Sequence, residues 1–149
     1  MNRIFTYDQD KENASDAPEF KRVKKLRKIL DRSDALLDLH GFNDPKGKAF
    51  LICEPDCYEL AYKMPFSIIS SGWVDIHPGS SDYYMWKQGK IAICAECGPV
   101  SNLNQSLPIA LNTIFVFLKY FNCIKEIPER YKLPDKKNRT LMKVTKQIN

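Results

Sequence analysis

The stretch Ala35-Leu36-Leu37-Asp38-Leu39-His40-Gly41 decides the reading of this chain. It is an apolar run of strand character that ends abruptly in aspartate, histidine and glycine, the pattern of a buried strand leaving a sheet. In open α/β sheets, ligands bind in the crevice at the carboxyl ends of the strands. His40, one of two histidines in the protein, stands at such an end. A second stretch answers it: Ile91-Ala92-Ile93-Cys94-Ala95-Glu96-Cys97-Gly98, another buried-strand pattern that finishes in a carboxylate and the Gly98-Pro99 turn. Two core strands, one delivering His40 and one delivering Glu96, make a candidate metal-and-base pair.

Helical patterns flank both strands. Asp16-Ala17-Pro18-Glu19 reads as a helix start, with a capping aspartate, proline in the first turn and glutamate three residues after the cap. Phe20, Val23, Leu26 and Leu30 then recur at three- and four-residue spacing among lysines and arginines, an amphipathic helix laid against a sheet. Beyond a turn at 41–47, the pattern predicts a short strand at 48–53, a helix at 55–64 and a strand near 66–69. Residues 72–81 have turn chemistry centred on Pro78-Gly79, and Ser81-Asp82 caps one or two helical turns that stop at Gly89. A long helix is expected at 107–123, with Leu107, Ala110, Leu111, Ile114, Leu118 and Phe121 facing inward. Pro128 and Pro134 interrupt the segment beyond that helix, and residues 139–148 have a weak alternating pattern that suits one strand. Strands alternating with helices argue for an α/β fold with a mixed, partly parallel sheet flanked by helices. The chain divides into a domain over 1–124 and a basic linker or tail over 125–149.

The totals exclude several classes. A chain of 149 residues fits one domain and buries a real core, roughly 70% of its unfolded surface at this size. Hydrophobic content of 44% and aromatic content of 11% are not those of a disordered chain. The longest apolar stretch, 109–123, is interrupted by Asn112, Lys119 and Asn122 and falls short of the ~18 residues of a membrane span. Met1-Asn2-Arg3-Ile4-Phe5 lacks the layout of a secretory signal, so five cysteines read as free thiols in a reducing cytoplasm. Residues 125–149 hold eight Lys/Arg against Glu126, Glu129 and Asp135, which is the whole net charge of +5. With Tyr131 as its one aromatic, this tail lacks the interleaved stacking residues of single-strand binders. It reads as a solvated face, not a nucleic-acid site.

Each chemical candidate has a plain alternative. His40 is either a ligand or a hydrogen-bonded structural histidine. Asp38, two residues earlier on the same strand face, can orient it, as carboxylates commonly do for metal-bound histidines. Glu96 has no solvated face, so its carboxyl is expected to be desolvated, with a raised pKa suited to proton shuttling; otherwise it pairs with a lysine at the strand end. Cys53 and Cys57, with Cys94 and Cys97, mimic a four-cysteine zinc site. However, residues three apart on a strand point to opposite faces, and buried apolar cysteine is the default. His77, within Asp75-Ile76-His77-Pro78-Gly79, reads as a loop histidine.

At these residues the sequence resembles the succinylglutamate desuccinylase/aspartoacylase family, a branch of the zinc-carboxypeptidase clan. Asn2-Arg3-Ile4-Phe5 is similar to the family's Asn-Arg segment, whose side chains hold the substrate carboxylate. Leu37-Asp38-Leu39-His40 resembles the Asp-Leu-His strand end that gives the third zinc ligand. Ala95-Glu96-Cys97-Gly98-Pro99 resembles the segment carrying the catalytic glutamate, and a long helix follows it in both. The resemblance implies a zinc-carboxypeptidase-like fold and zinc-dependent hydrolysis of an N-acyl amino acid. It also implies that His40 is a metal ligand, Asp38 its support, Glu96 the general base, and Asn2 and Arg3 the substrate clamp. The family's other two zinc ligands come from a His-x-x-Glu motif upstream of the Asn-Arg segment, which this chain does not contain. The expectation is therefore a metallohydrolase domain over 1–124 lacking its first strands, followed by the start of a C-terminal domain. A non-catalytic remnant or a subunit completed by another chain is the first alternative, and a small binding module holding zinc on the cysteine pairs the second; the strand ending in His40 is expected to present an unpaired edge prone to self-association.

Overall fold

The computed structural model describes residues 4–5, 17–134 and 138–146. β4 (Ile91–Pro99) is the axis of the sheet. β1 (Ala35–Phe42) pairs with it in parallel on one side, and β2 (Phe50–Ile52) pairs antiparallel on the other. β3 (Ile68–Ser71) and β5 (Thr140–Lys143) continue in parallel from β2, giving the order β1-β4-β2-β3-β5. The architecture is the mixed, partly parallel α/β sheet flanked by helices that the sequence pattern implies.

The helices are α1 (Pro18–Leu30), α2 (Tyr58–Ala61), α3 (Trp73–Ile76), α4 (Ser81–Trp86) and α5 (Leu103–Tyr120). α1 begins at its proline with Ala17 in the capping position; Asp16, the expected cap, lies outside the described residues. The expected helix at 55–64 is shorter, a 3₁₀ turn over Pro55–Cys57 leading into α2. Among the described residues, no helix is long and apolar enough to cross a membrane.

Four expectations need correction. β1 is only half-buried, with Leu39 39% exposed, although Leu36 faces the α1 side and Leu37 the main core. Among the described residues it is the outer strand of the sheet, in line with the unpaired edge expected of it. Residues 72–81 are not turn throughout, since Trp73–Ile76 makes one helical turn before Pro78-Gly79. α4 is capped by Ser80, whose Oγ accepts from the Tyr83 N–H, and not by Ser81.

The fourth concerns α5, which starts at Leu103 with Pro108 inside it. Proline at 108 suggests a first turn, but an interior proline in an early turn removes one hydrogen bond and is tolerated here. The fully buried residues of α5 are Ser106, Asn112, Thr113 and Val116; Ala110 and Phe121 pack against the core as expected, with Ile109 and Phe117, while Leu107 is 53% exposed. Close approach of the helix to β4 selects this face. A Cβ built on Gly98 would stand 3.1 Å from the Ser106 Cβ, a tight approach, and φ of +131° there favours glycine. The buried polar groups are satisfied: Ser106 Oγ donates to the Pro99 carbonyl at 3.1 Å, and Thr113 Oγ1 to that of Ile109 at 2.7 Å.

Candidate functional site

Parallel register places the two key side chains side by side. His40 is the partner of Glu96 and Asp38 the partner of Cys94, so all four project from the same face of the β1–β4 pair. Asp38 Oδ1 lies 3.1 Å from His40 Nε2, and Ser81 Oγ of α4 donates to Asp38 Oδ2. The carboxylate is thus held from two sides. Its contact puts the imidazole proton on Nε2 and leaves Nδ1 as the free ring nitrogen.

Glu96 is the electrostatic anomaly of the site. Its Oε2 is buried and has no hydrogen-bond partner among the described residues. Burial pushes the Glu96 carboxyl up from the ordinary value of 4.5; nearby His40 opposes this and the Asp38 charge adds to it. A carboxyl that holds its proton more tightly than usual in this way is suited to taking up and passing on a proton.

His40 and Glu96 open onto a cavity of about 200 Å³ whose wall includes Phe50, Trp73, His77 and Asp82. His77 is therefore not an isolated loop histidine. It ends α3 and stacks on Trp73 at 5.5 Å between ring centroids and 30° between planes. The spacing Trp73 to His77, one helical turn, was the signal for this pairing, hidden by the turn-like residues around it. A second, mostly apolar cavity of about 400 Å³ adjoins the other side of Asp38 and His40, walled by Phe5, Leu26, Leu30 and Leu36.

Asn2 and Arg3 lie outside the described residues. Phe5 is fixed beside the site: its N–H donates to the Gly79 carbonyl at 2.9 Å, and the Arg27 guanidinium donates to its carbonyl.

A zinc ion is implied by the resemblance, and the described residues do not suffice for it. A catalytic zinc takes three protein ligands. Among the described residues, no three His, Cys, Asp or Glu side chains converge on a point where a metal could sit. His40, with a carboxylate behind it and a free nitrogen in front, has the form of one ligand and not of a site.

The four paired cysteines are divided by the sheet. Cys53, Cys57 and Cys97 belong to the main core, whereas Cys94 lies on the opposite face of β4, against the cavity. Burial pushes all four thiols up, Cys97 to about 11, and Cys123 is exposed. At pH 8 a thiol reagent is expected to modify Cys123 rapidly and the other four only on unfolding. Two or more fast thiols in the native protein would contradict this burial.

No protein-family model and no curated protein matches the sequence. Solved structures do match in fold. The apo form of the ectoine utilization protein EutE (DoeB) from Ruegeria pomeroyi superposes with a TM-score of 0.69 at 16% identity, over 97% of this chain and 46% of that one. Its product-bound form gives 0.68 at 15%, over 99% and 44%. A provisionally assigned succinylglutamate desuccinylase/aspartoacylase from Shewanella frigidimarina gives 0.53 at 18%, over 78% and 36%. This chain therefore spans less than half the length of each structure it matches. At these identities the likeness is one of fold, and the resemblance to the succinylglutamate desuccinylase/aspartoacylase family holds at that level.

Proposed function

We propose that this chain carries the proton-transfer side of an amide hydrolase of the N-acyl amino acid deacylase type, with Glu96 as general base. The observation that carries the reading is the register pair His40–Glu96, in which a desolvated, unpartnered carboxyl stands beside a histidine steadied by Asp38. Glu96 would take a proton from the attacking water and return it to the leaving amine. Asn2 and Arg3 would hold the substrate carboxylate, arginine in bidentate fashion. Zinc would polarise the acyl group in such a reaction, with His40 as one ligand. The described residues do not supply the others, so no step is derived through the metal.

The same reading makes the chain dependent on ligands from outside its described part. The side of β1 that pairs with no strand among the described residues is where an added strand from a second chain would stand beside the site. In the purified chain, zinc measured by elemental analysis is expected to be well below one equivalent. Amine release from N-acetyl and N-succinyl amino acids is expected to stay at background. Stoichiometric zinc, together with turnover lost in His40→Ala, would show that the chain completes its own site.

A further inference from the structure

We infer that the cavity beside Glu96 is a recognition site for a small alkylammonium group, with Trp73 as its platform and Asp82 as its counter-charge. This rests on the proposed reading only in taking that cavity as the place where ligand sits. It adds a chemical class that neither the fold nor the resemblance supplies.

The platform is rigid before any ligand arrives. Trp73 Nε1–H donates to Ser70 Oγ at 2.8 Å, and Ser70 is itself 3% exposed. The amide of the preceding residue, Gly72, donates to Glu54 Oε1 at 2.9 Å. One turn on, the His77 N–H returns to the Trp73 carbonyl at 2.8 Å, and its ring backs the indole. A half-buried indole held by one bond of its own, on a backbone tied by two more, and lining a cavity is preorganised, which lowers the ordering cost of binding.

The charge of the cavity is one-sided. Asp82 has no hydrogen-bond or ion-pair partner among the described residues, and Glu96 Oε2 has none either. Among the described residues, no lysine or arginine lines this cavity, in a chain with 23 of them and a net charge of +5. Anions are repelled by such a wall, and the donor set does not gather for a metal. An ammonium satisfies both features at once: attraction to the face of tryptophan, the best of the aromatic platforms, and a charge-assisted bond to a carboxylate. Asp82 is the charged group within reach of such a ligand, with Glu96 beside it on the same wall. At about 200 Å³ the cavity admits an ammonium on a short alkyl stem and little more.

The test uses the full chain with Trp86→Phe, leaving Trp73 as its one indole. n-Butylammonium chloride is titrated in EDTA at constant ionic strength and followed by tryptophan emission, with n-butanol as the neutral match. A saturable change is expected at millimolar n-butylammonium, with n-butanol at least ~10-fold weaker. Asp82→Asn, a change on a half-exposed residue of α4, is expected to weaken n-butylammonium ~5–20-fold, about the loss of one charge-assisted bond. Trp73→Leu, followed by calorimetry, is expected to abolish binding. Equal responses to n-butylammonium and n-butanol, or an unchanged affinity in Asp82→Asn, would overturn the inference. Amine binding leaves it standing even where a form with completed zinc ligands turns over no acyl amino acid, a result that would remove the hydrolase reading. Turnover by that completed form, with no amine binding, removes this inference alone.

Discussion

Replacing Glu96 with glutamine is expected to do two opposite things. In a form of the protein whose zinc ligands have been completed, hydrolysis should fall by ~10²-fold or more, because glutamine keeps the shape of the side chain but cannot carry the proton. Zinc content should not change. In the chain alone, the same substitution should raise stability at neutral pH, by about 0.5–2 kcal/mol on the scale of other changes that relieve a strained functional site. The sign follows from linkage. Glu96 has a folded pKa above the ordinary 4.5, because burial penalises its charge. Folded protein therefore holds this proton more tightly than unfolded chain does. The stabilisation is fully present below pH 4.5 and is lost as pH rises through the folded value, leaving a buried, unpartnered charge above it. Glutamine does not titrate, so the variant's advantage should be absent at acid pH and grow across that window. Urea unfolding of both proteins at pH 4 and pH 7.5 measures it. A variant less stable at both pH values would mean that Glu96 makes a stabilising contact in solution, and its assignment as a base would lose its electrostatic basis.

The two strands were legible because their chemistry is extreme. An unbroken apolar run with a single carboxylate in it, as in β4, fits little besides a buried strand; the expected strand end at His40 is instead an irregularity in register, after which β1 continues to Phe42. Their mutual register needed the fold: nothing local in the sequence says that position 40 lies beside position 96. The outer place of β1 agrees with the unpaired edge expected of it, while its half-burial was hidden, because an apolar run does not say how fully each face is covered. α5 misled through phase. Its apolar residues outnumber those a single face can bury, and the choice fell to a close approach, Gly98 against Ser106, that hydrophobic periodicity cannot express. The Trp73–His77 stack was lost among turn-forming neighbours, although its four-residue spacing was in plain view. Polar recognition residues on short elements are the least legible part of this site, because a four-residue helix such as α3 is too short to establish a period.

Gly72 is where the recognition wall and the last strand meet, and Gly72→Ala is expected to be among the most damaging single substitutions in the chain. The residue has φ of +83°, a left-handed conformation that costs an L-residue about 1–2 kcal/mol. Space is a separate problem. A Cβ there would lie 2.5 Å from the Val144 carbonyl oxygen and 3.3 Å from the Lys143 Cγ, and the first of these is backbone that cannot rotate away. Val144 closes the β3–β5 ladder through its N–H to the Ser71 carbonyl at 2.9 Å, so relief of the clash means moving the end of β5. Overpacking of this kind adds about 1–3 kcal/mol. The combined loss of about 2–5 kcal/mol corresponds to a drop in Tm of roughly 5–20 °C for a domain of this length. Gly89→Ala is the matched control: φ is +72°, but nothing lies within 4 Å of its Cβ, so only the backbone cost should appear. Amide exchange separates the two causes. In Gly72→Ala the amides of residues 140–144 should lose protection ahead of those in β4, whereas in Gly89→Ala they should not. If Gly72→Ala were no worse than Gly89→Ala, the contact with Val144 would not exist in solution. β5 would then not be held against β3 at this end, and the indole of Trp73, one residue from Gly72, would lose part of the frame that fixes it.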